Sequence, residues 1–250
     1  MKIATIIACR MGSSRLPGKT ALPILGVPMI ERMVERVRRS RHVTDVILAT
    51  SIDPDDDPVE AITKRIGIGC FRGSPEDVLD RIDGAAQSAG ADLIVELLGD
   101  NPLVHADLID DVIDYHKGSG NDYSASVTAE YPHAGPEVKK FPVGIRVQVF
   151  PPAILHDSAV RATDPYHREN STTFLYEHPD LYRLGYLQAE GKWAALHRPE
   201  LTFAVNFRRN FDLVSAIFER NYSRDPNFTL FDVIRTFDTD PALKALMGNE

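Results

Sequence analysis

Ile3-Ala4-Thr5-Ile6-Ile7-Ala8, followed directly by Cys9-Arg10-Met11-Gly12-Ser13-Ser14-Arg15-Leu16-Pro17-Gly18-Lys19, is the stretch from which the rest of this 250-residue chain can be read. Six β-branched or small apolar residues ending in a Gly/Ser/Pro-rich loop describe a short buried strand that opens onto a binding loop. The pattern repeats. Pro28 precedes a helix carrying Met29, Ile30, Met33, Val34 and Val37 at helical spacing. Strands are expected at 46–50, 68–71 and Leu93–Leu98, with helices at 59–66, 74–89 and 106–116 between and after them. Ser74-Pro75-Glu76-Asp77 supplies an N-cap, a proline at N1 and an acid at N3 for the second of these helices. Strand-helix alternation with unbroken apolar strands predicts an α/β fold with a mostly parallel sheet flanked by helices. Ligands of such sheets bind beyond the carboxyl ends of the strands, which directs attention to the loops at 9–19, 50–53 and 99–102. From 123 to 187 the pattern is irregular: a polar loop at 131–141, an alternating strand at 145–150, and a helix ending near His178-Pro179. A strand at 201–205 and helices at 211–222 and 230–237 follow.

Composition narrows the classes. The chain is 43% apolar and 26% charged, which excludes disorder and small disulfide scaffolds. Its net charge of −8 argues against nucleic-acid or anionic-membrane partners. That charge is unevenly placed. Residues 1–44 hold nine Lys and Arg against Glu31 and Glu35, a local +7, which leaves −15 on the remainder. Cys9 and Cys70 share no motif with each other or with histidines, so buried, reduced thiols are expected and a zinc site is not. MKIATIIACR is too short an apolar stretch for a secretory signal, and no run reaches the roughly 18 residues of a membrane span. A cytoplasmic protein is the expectation.

Arg10, Arg15 and Lys19 place three cations on the loop after the first strand, and its Gly and Ser residues let consecutive amides face anionic oxygens. That combination suits a triphosphate whose leaving pyrophosphate must be stabilised. Gly18-Lys19-Thr20 imitates the end of a P-loop, but Ser13 stands where the first glycine belongs, and Gly12 lies one position too early. At the end of the Leu93–Leu98 strand, Gly99-Asp100-Asn101-Pro102-Leu103 offers one carboxylate. That is enough for Mg²⁺ bridging nucleotide phosphates. A metal-binding Asp-x-Asp is present in Asp55-Asp56-Asp57, but its proline-flanked polar loop discounts a glycosyltransferase.

With these segments, the chain resembles the cytidylyltransferase-like nucleotidyltransferases typified by the spore-coat polysaccharide F proteins and, more distantly, the CMP-sugar-acid synthetases. The likeness runs from the Arg10–Lys19 loop through Ala49-Thr50-Ser51, Phe71-Arg72-Gly73-Ser74-Pro75-Glu76-Asp77-Val78-Leu79-Asp80-Arg81 and Gly99-Asp100-Asn101-Pro102-Leu103. It continues in His167-Arg168-Glu169, Tyr176-Glu177-His178-Pro179 and the segments from Phe211 and Asn227. The resemblance implies a Rossmann-like sheet in one domain spanning 1–250: a nucleotide-binding half at 1–122, an acceptor and dimerisation region at 123–190, and a C-terminal strand and helices at 191–250. It implies transfer of CMP from CTP to an acceptor by in-line attack on the α-phosphorus, with pyrophosphate released and no covalent intermediate. Arg10, Met11, Gly12, Ser13, Ser14, Arg15 and Lys19 would wrap the triphosphate. Thr50, Ser51, Ser74, Asp77 and Arg81 would lie near base and ribose, although Asp77 and Arg81 are also spaced for an ordinary helix ion pair. Asp100 would bind Mg²⁺, Arg168 and Glu169 would face the acceptor, and a homodimer is suggested.

Departures from the family pattern concentrate on the acceptor side. Where the family commonly reads Val-Asp-Thr-Pro-Glu-Asp, this chain has Val205-Asn206-Phe207-Arg208-Arg209-Asn210. Asn206 therefore offers the metal a carbonyl oxygen and no charge. Where it reads Gly-x-Asp-Val-Glu-Val-Phe, this chain has Gly144-Ile145-Arg146-Val147-Gln148-Val149-Phe150. His105 also stands where an acid is common. One explanation is an anionic acceptor (a sugar acid, sugar phosphate or phosphonate) read by Arg146, Gln148 and Arg208 or Arg209. The other is a nucleotide-binding homologue with weakened catalysis. The intact triphosphate loop and Asp100 favour the first. His133 and His167 are read as surface or structural residues, and Arg32 to Arg41 as decoration of a solvated helix face.

Overall fold

The structure is a computed structural model describing residues 1–131 and 134–247; His133 lies outside the described residues. In chain order the elements are β1 (Ile3–Ala8), a hairpin of β2 (Pro23–Ile24) and β3 (Val27–Pro28), α1 (Met29–Val37), β4 (Asp45–Ser51), α2 (Asp57–Ile66), β5 (Gly69–Gly73), α3 (Val78–Ala89), β6 (Leu93–Leu98) and α4 (Ala106–Ser119). They continue with β7 (Tyr123–Ser126), β8 (Gln148–Phe150), α5 (Pro152–Arg161), α6 (Pro165–Glu169), α7 (Thr173–Glu177), β9 (Leu184–Leu187), α8 (Arg208–Asn221), α9 (Leu230–Thr239) and α10 (Pro241–Met247).

Seven strands form one mixed sheet in the order β5-β4-β1-β6-β8-β7-β9. β5, β4, β1 and β6 run parallel, β8 is antiparallel to both β6 and β7, and β7 pairs with β9 in parallel. The alternation along β1 explains the layers. Ile3 and Ile7 face a core built with α1, α4, α8 and α9, whereas Ala4 and Ile6 face a second core with α3, α5 and α7. The chain leaves β1 toward β4 and β5, then returns to place β6 on the other side of β1. The carboxyl ends of β1 and β6 are therefore the switch point at which such a sheet opens a crevice.

Several expectations are corrected here. The helix foreseen from residue 74 starts at Val78: Asp77 is its N-cap and accepts from the Asp80 amide at 2.9 Å, while the Ser74 hydroxyl accepts from the Glu76 and Asp77 amides in a preceding turn. α5 had no forecast; its first turn hides behind Pro151-Pro152, which reads as a loop. Residues 201–205 are extended but lie outside the sheet, pairing with Val143 through Val143 N–H to Leu201 O at 3.0 Å and Phe203 N–H to Val143 O at 2.7 Å. Gly144, at φ +94°, permits this; a Cβ there would stand 2.2 Å from the Ala204 nitrogen. Cys9 is buried as expected, but Cys70 is exposed, because β5 is the edge strand.

The arginines of α1 are the largest surprise. Arg32 and Arg36 are buried, not solvated. Arg36 donates to the carbonyls of Val104 (3.0 Å), Leu103 (3.2 Å) and Phe228 (3.0 Å) and lies 4.3 Å over the Phe228 ring. Burial lowers its guanidinium pKa to about 9, so it stays charged at neutral pH. Arg32 donates to the carbonyls of Ile24 and Leu25, both at 3.2 Å. The basic helix thus anchors two loops, one of them the segment following Asp100. Arg36→Met should leave three carbonyls without this donor and lower unfolding free energy by about 3 kcal/mol or more. Urea denaturation will check this, and an unchanged midpoint would contradict the anchoring role.

Candidate active site

The loop leaving β1 is held from below. The Met11 amide donates to Asp56 Oδ1 at 2.6 Å, and the other Asp56 oxygen accepts from the Ser51 amide (3.1 Å) and hydroxyl (2.5 Å). Burial alone would raise the Asp56 carboxyl, but the bonds from Ser51 and Met11 outweigh it and hold the group below the usual range. The Met11 carbonyl then accepts from Ser13 at 2.8 Å and Gly18 at 2.9 Å, closing the loop on itself, and Gly18 takes φ +71° to do so. Among the described residues, the amides of Gly12, Ser14 and Arg15 find no partner. They are donors left for an anion.

Lys19 closes the floor. Its Nζ lies 3.1 Å from Asp100 Oδ2 and donates to the Val205 carbonyl at 2.8 Å. Gly99 sets the approach of this second loop, since a Cβ there would meet Cys9 Cβ at 2.7 Å and the Ala8 carbonyl at 2.9 Å. Asp100 Oδ1 is buried and has no hydrogen-bond partner. Asn206 follows directly, positioned by the Val205 amide donating to the Asp100 carbonyl at 2.8 Å. A lone carboxylate oxygen without a partner suits Mg²⁺, which takes one or two protein ligands and leaves the rest to phosphate and water. No group of three or more His, Cys, Asp or Glu suited to a metal occurs among the described residues, so a cage built from protein alone is not on offer.

Three clefts adjoin. The first, about 230 Å³, is lined by Arg10, Ser13, Lys19, Arg81, Asp100 and Glu169, among others. An outer cleft of about 520 Å³ runs along Arg10, Pro75, Asp77, Arg168 and Glu169. A third, about 210 Å³, is walled by Glu130, Arg146, Glu169, Ser171, Thr172 and Tyr176. Arg81 is buried and donates to the Ser74 carbonyl at 2.6 Å, its Nε has no partner, and burial and the nearby charge of Arg10 lower its pKa. Arg10 and Arg81 both line the first cleft and bond carbonyls, not carboxylates, which makes that cleft a seat for negative charge.

The structure separates the remaining sequence-nominated residues. Asp77 does not pair with Arg81; its Oδ2 takes Arg168 Nε at 2.7 Å and joins α3 to α6 across the outer cleft. Arg168 also donates to the Ala159 carbonyl, so much of its donor capacity is already used. Thr50 and Ser51 are buried behind the loop, not on a cleft wall. Arg15 points to the rim, its guanidinium 5.7 Å over Phe207. Gln148 is buried beneath the third cleft, where its Oε1 accepts from Tyr123 and from Thr172 at 2.7 Å while its Nε2 donates to Glu96. Arg146 reaches that cleft, but Glu130 lies 3.7 Å from its NH1 and Glu96 adds a second negative charge nearby. The third cleft is therefore internally balanced, not simply basic. Arg208 pairs with Asp212 on the exposed face of α8, and His105 is a buried N-cap of α4 whose burial lowers its pKa, so neither shifts the charge of the clefts. His167 bonds Glu177 at 2.9 Å and packs on Phe174.

Asp56, Glu96 and Arg36 were missed by sequence reasoning. Glu96 had a visible signal, an acid within the otherwise apolar Leu93–Leu98. It is fully buried, accepts from Ser171 at 2.8 Å, and burial raises its carboxyl pKa.

The fold and this cleft define a nucleotidyltransferase. Residues 4–194 match the family model described as cytidylyltransferase, and the chain belongs to that family. It is 30% identical over 244 residues to the spore coat polysaccharide biosynthesis protein SpsF of Bacillus subtilis, covering 96% of this chain and 95% of that one. It is 36% identical over 115 residues to the 3-deoxy-manno-octulosonate cytidylyltransferase of Geobacter sulfurreducens, 45% of this chain and 44% of the relative. A solved cytidylyltransferase from Leptospira borgpetersenii has the same fold, with a TM-score of 0.86 at 24% identity over 100% of this chain and 98% of that one.

Asp56→Ala should speed hydrogen exchange at the Met11 and Ser51 amides and cost about 2–3 kcal/mol of stability. Because the folded pKa of Asp56 lies below its unfolded value, its contribution is complete above about pH 4 and is lost as pH falls below that. The wild-type and variant stability curves should accordingly converge in acid; parallel curves would contradict the assignment.

Proposed function

We propose that the chain transfers CMP from CTP to a small anionic acceptor, a sugar acid, sugar phosphate or phosphonate, with Mg²⁺ as cofactor and pyrophosphate as the second product. The observation that carries this is the Lys19–Asp100 floor, with the unpartnered amides of Gly12, Ser14 and Arg15 above it and an unpartnered Asp100 oxygen within it. Family membership supports CTP, and the names of the two relatives support a sugar-acid type of acceptor and a place in polysaccharide biosynthesis. In this reading residues 1–122 hold the nucleotide, 123–190 hold the acceptor and form a homodimer, and 191–250 complete a single cytoplasmic domain.

The chemistry is positioning plus charge. Arg10, Lys19 and the loop amides bind the β- and γ-phosphates and stabilise the leaving pyrophosphate. Arg81 and the segment from Ser74 to Asp77 border ribose and base. Asp100, with the Asn206 carbonyl, would hold Mg²⁺, which would draw charge from the α-phosphate. Arg146 reads the anionic group of the acceptor: its buried Nε has no partner, and the one-third-exposed Glu130 is the group that an acceptor anion would replace. In-line attack by an acceptor oxygen on the α-phosphorus then forms the product in one step.

A second reading, nucleotide binding with weakened catalysis, is favoured by Asn206, Arg146 and Gln148, which leave the site without the acids the family pattern has there. Two sets of variants separate the readings. Asp100→Ala and Lys19→Ala should each lower pyrophosphate release at least 100-fold in a coupled phosphate assay; near-wild-type release by Asp100→Ala would refute the metal assignment. Asn206→Asp should reduce turnover if Asn206 is an adaptation. A large rise in both Mg²⁺ affinity and turnover would instead mark it as a loss.

A further inference from the structure

Among the described residues, Glu169 is the one that lines all three clefts. It stands at the carboxyl end of α6 and is exposed. The carboxylates around it are engaged: Asp77 with Arg168, Asp100 with Lys19, Glu130 with Thr128 and Arg146, and Glu96 with Ser171 and Gln148. The Glu169 side chain makes no hydrogen bond or ion pair among the described residues. The Glu76 side chain also lacks a polar partner among the described residues, but of the three clefts it lines only the outer one. A carboxylate left unpaired at the junction of the triphosphate cleft and the Arg146 cleft borders the path between an acceptor hydroxyl and the α-phosphorus.

We propose that Glu169 is the catalytic base that takes the proton from the acceptor hydroxyl. This rests on the nucleotidyl-transfer reading above. The acceptor oxygen forms the new bond to the α-phosphorus while the bond from that phosphorus to the oxygen bridging to the β-phosphate breaks. The electron pair of the broken bond leaves on pyrophosphate, and the hydroxyl proton passes to a Glu169 carboxylate oxygen and from there to water. The balance is complete without an oxidant or further reactant. The charged groups that share its clefts are Arg10 and Lys19 from the loop after β1, Glu76 and Asp77 from the turn before α3, Arg81 from α3, Asp100 after β6, Glu130 after β7, Arg146 from the segment before β8 and Arg168 on α6. The phenols of Tyr166 and Tyr176 complete the wall of the third cleft.

The test compares wild type, Glu169→Gln and Glu169→Asp on the full chain with CTP, Mg²⁺ and three acceptor probes: 3-deoxy-manno-octulosonate, glucose 1-phosphate and 2-hydroxyethylphosphonate. Pyrophosphate release is followed from pH 5 to 9, and CTP affinity is measured separately by calorimetry. Glu169→Gln should lower kcat 100-fold or more with CTP affinity changed less than threefold, and the fall of kcat toward acid seen in the wild type should disappear. Glu169→Asp should keep part of the rate and the acid limb. A Glu169→Gln enzyme within threefold of wild-type kcat, or one losing CTP or Mg²⁺ affinity in proportion to its rate, overturns the proposal while leaving nucleotidyl transfer intact. Absence of pyrophosphate from the wild type with every probe overturns both the nucleotidyl-transfer reading and this role.

Discussion

The ion pair between Lys19 and Asp100 is the contact on which the rest of the site depends. It joins the loop after β1 to the loop after β6, and the same ammonium reaches the Val205 carbonyl, so one side chain gathers three segments that are far apart in the chain. Both charges are mostly shielded from water, at 13% and 22% side-chain exposure, which makes the pair stronger than a surface salt bridge and makes either member costly to leave alone. The partners are held independently of each other. Lys19 follows a loop closed on the Met11 carbonyl and suspended from Asp56, while Asp100 precedes a segment gripped by the buried Arg36. Two rigid supports facing one another across a switch point preorganise the site, because little has to move when charge develops.

The far side of the crevice is organised by neutral and paired groups. Glu96 and Gln148 sit opposite one another on β6 and β8, and Tyr123, Ser171 and Thr172 satisfy their remaining oxygens. This network lies under the third cleft and fixes the turn from α6 into α7, which carries Ser171 and Thr172. Substituting an acid at position 148 would bring a second carboxylate against buried Glu96, so the glutamine is the residue that this pairing admits. Arg146 meets the summed charge of Glu130 and Glu96 there. What looks in the one-dimensional pattern like a loss of acidity is in three dimensions a redistribution of it.

The sheet and the loop after β1 were legible because their signals are local. The runs at Ile3–Ala8 and Leu93–Leu98, the helical spacing from Met29 to Val37, and the Arg10–Lys19 loop each carry their meaning within about ten residues. Asp100 and Lys19 could be nominated separately, since strand ends are where ligands bind. Their pairing across 81 positions could not be read from spacing. Arg36 looked like a solvated cation because helix-face patterning cannot anticipate three carbonyls arriving from distant loops. Asp56 looked like part of an acidic turn, and Gln148 like a cleft residue, for the same reason: each takes its role from a contact made only when the chain closes. The strand expected at 201–205 failed differently. Its apolar residues are buried, Leu201, Phe203, Ala204 and Val205 alike, but Gly144 lets the Val143 segment pair with it outside the sheet.

Whether this crevice binds a cytidine triphosphate together with a divalent ion is tested by titration calorimetry of the wild-type chain with CTP, UTP, ATP and GTP, each in Mg²⁺ and again in EDTA. CTP should bind at least tenfold tighter than the other three, and tighter in Mg²⁺ than in EDTA. Equal affinity for all four nucleotides, or CTP binding indifferent to Mg²⁺, would contradict the proposed function.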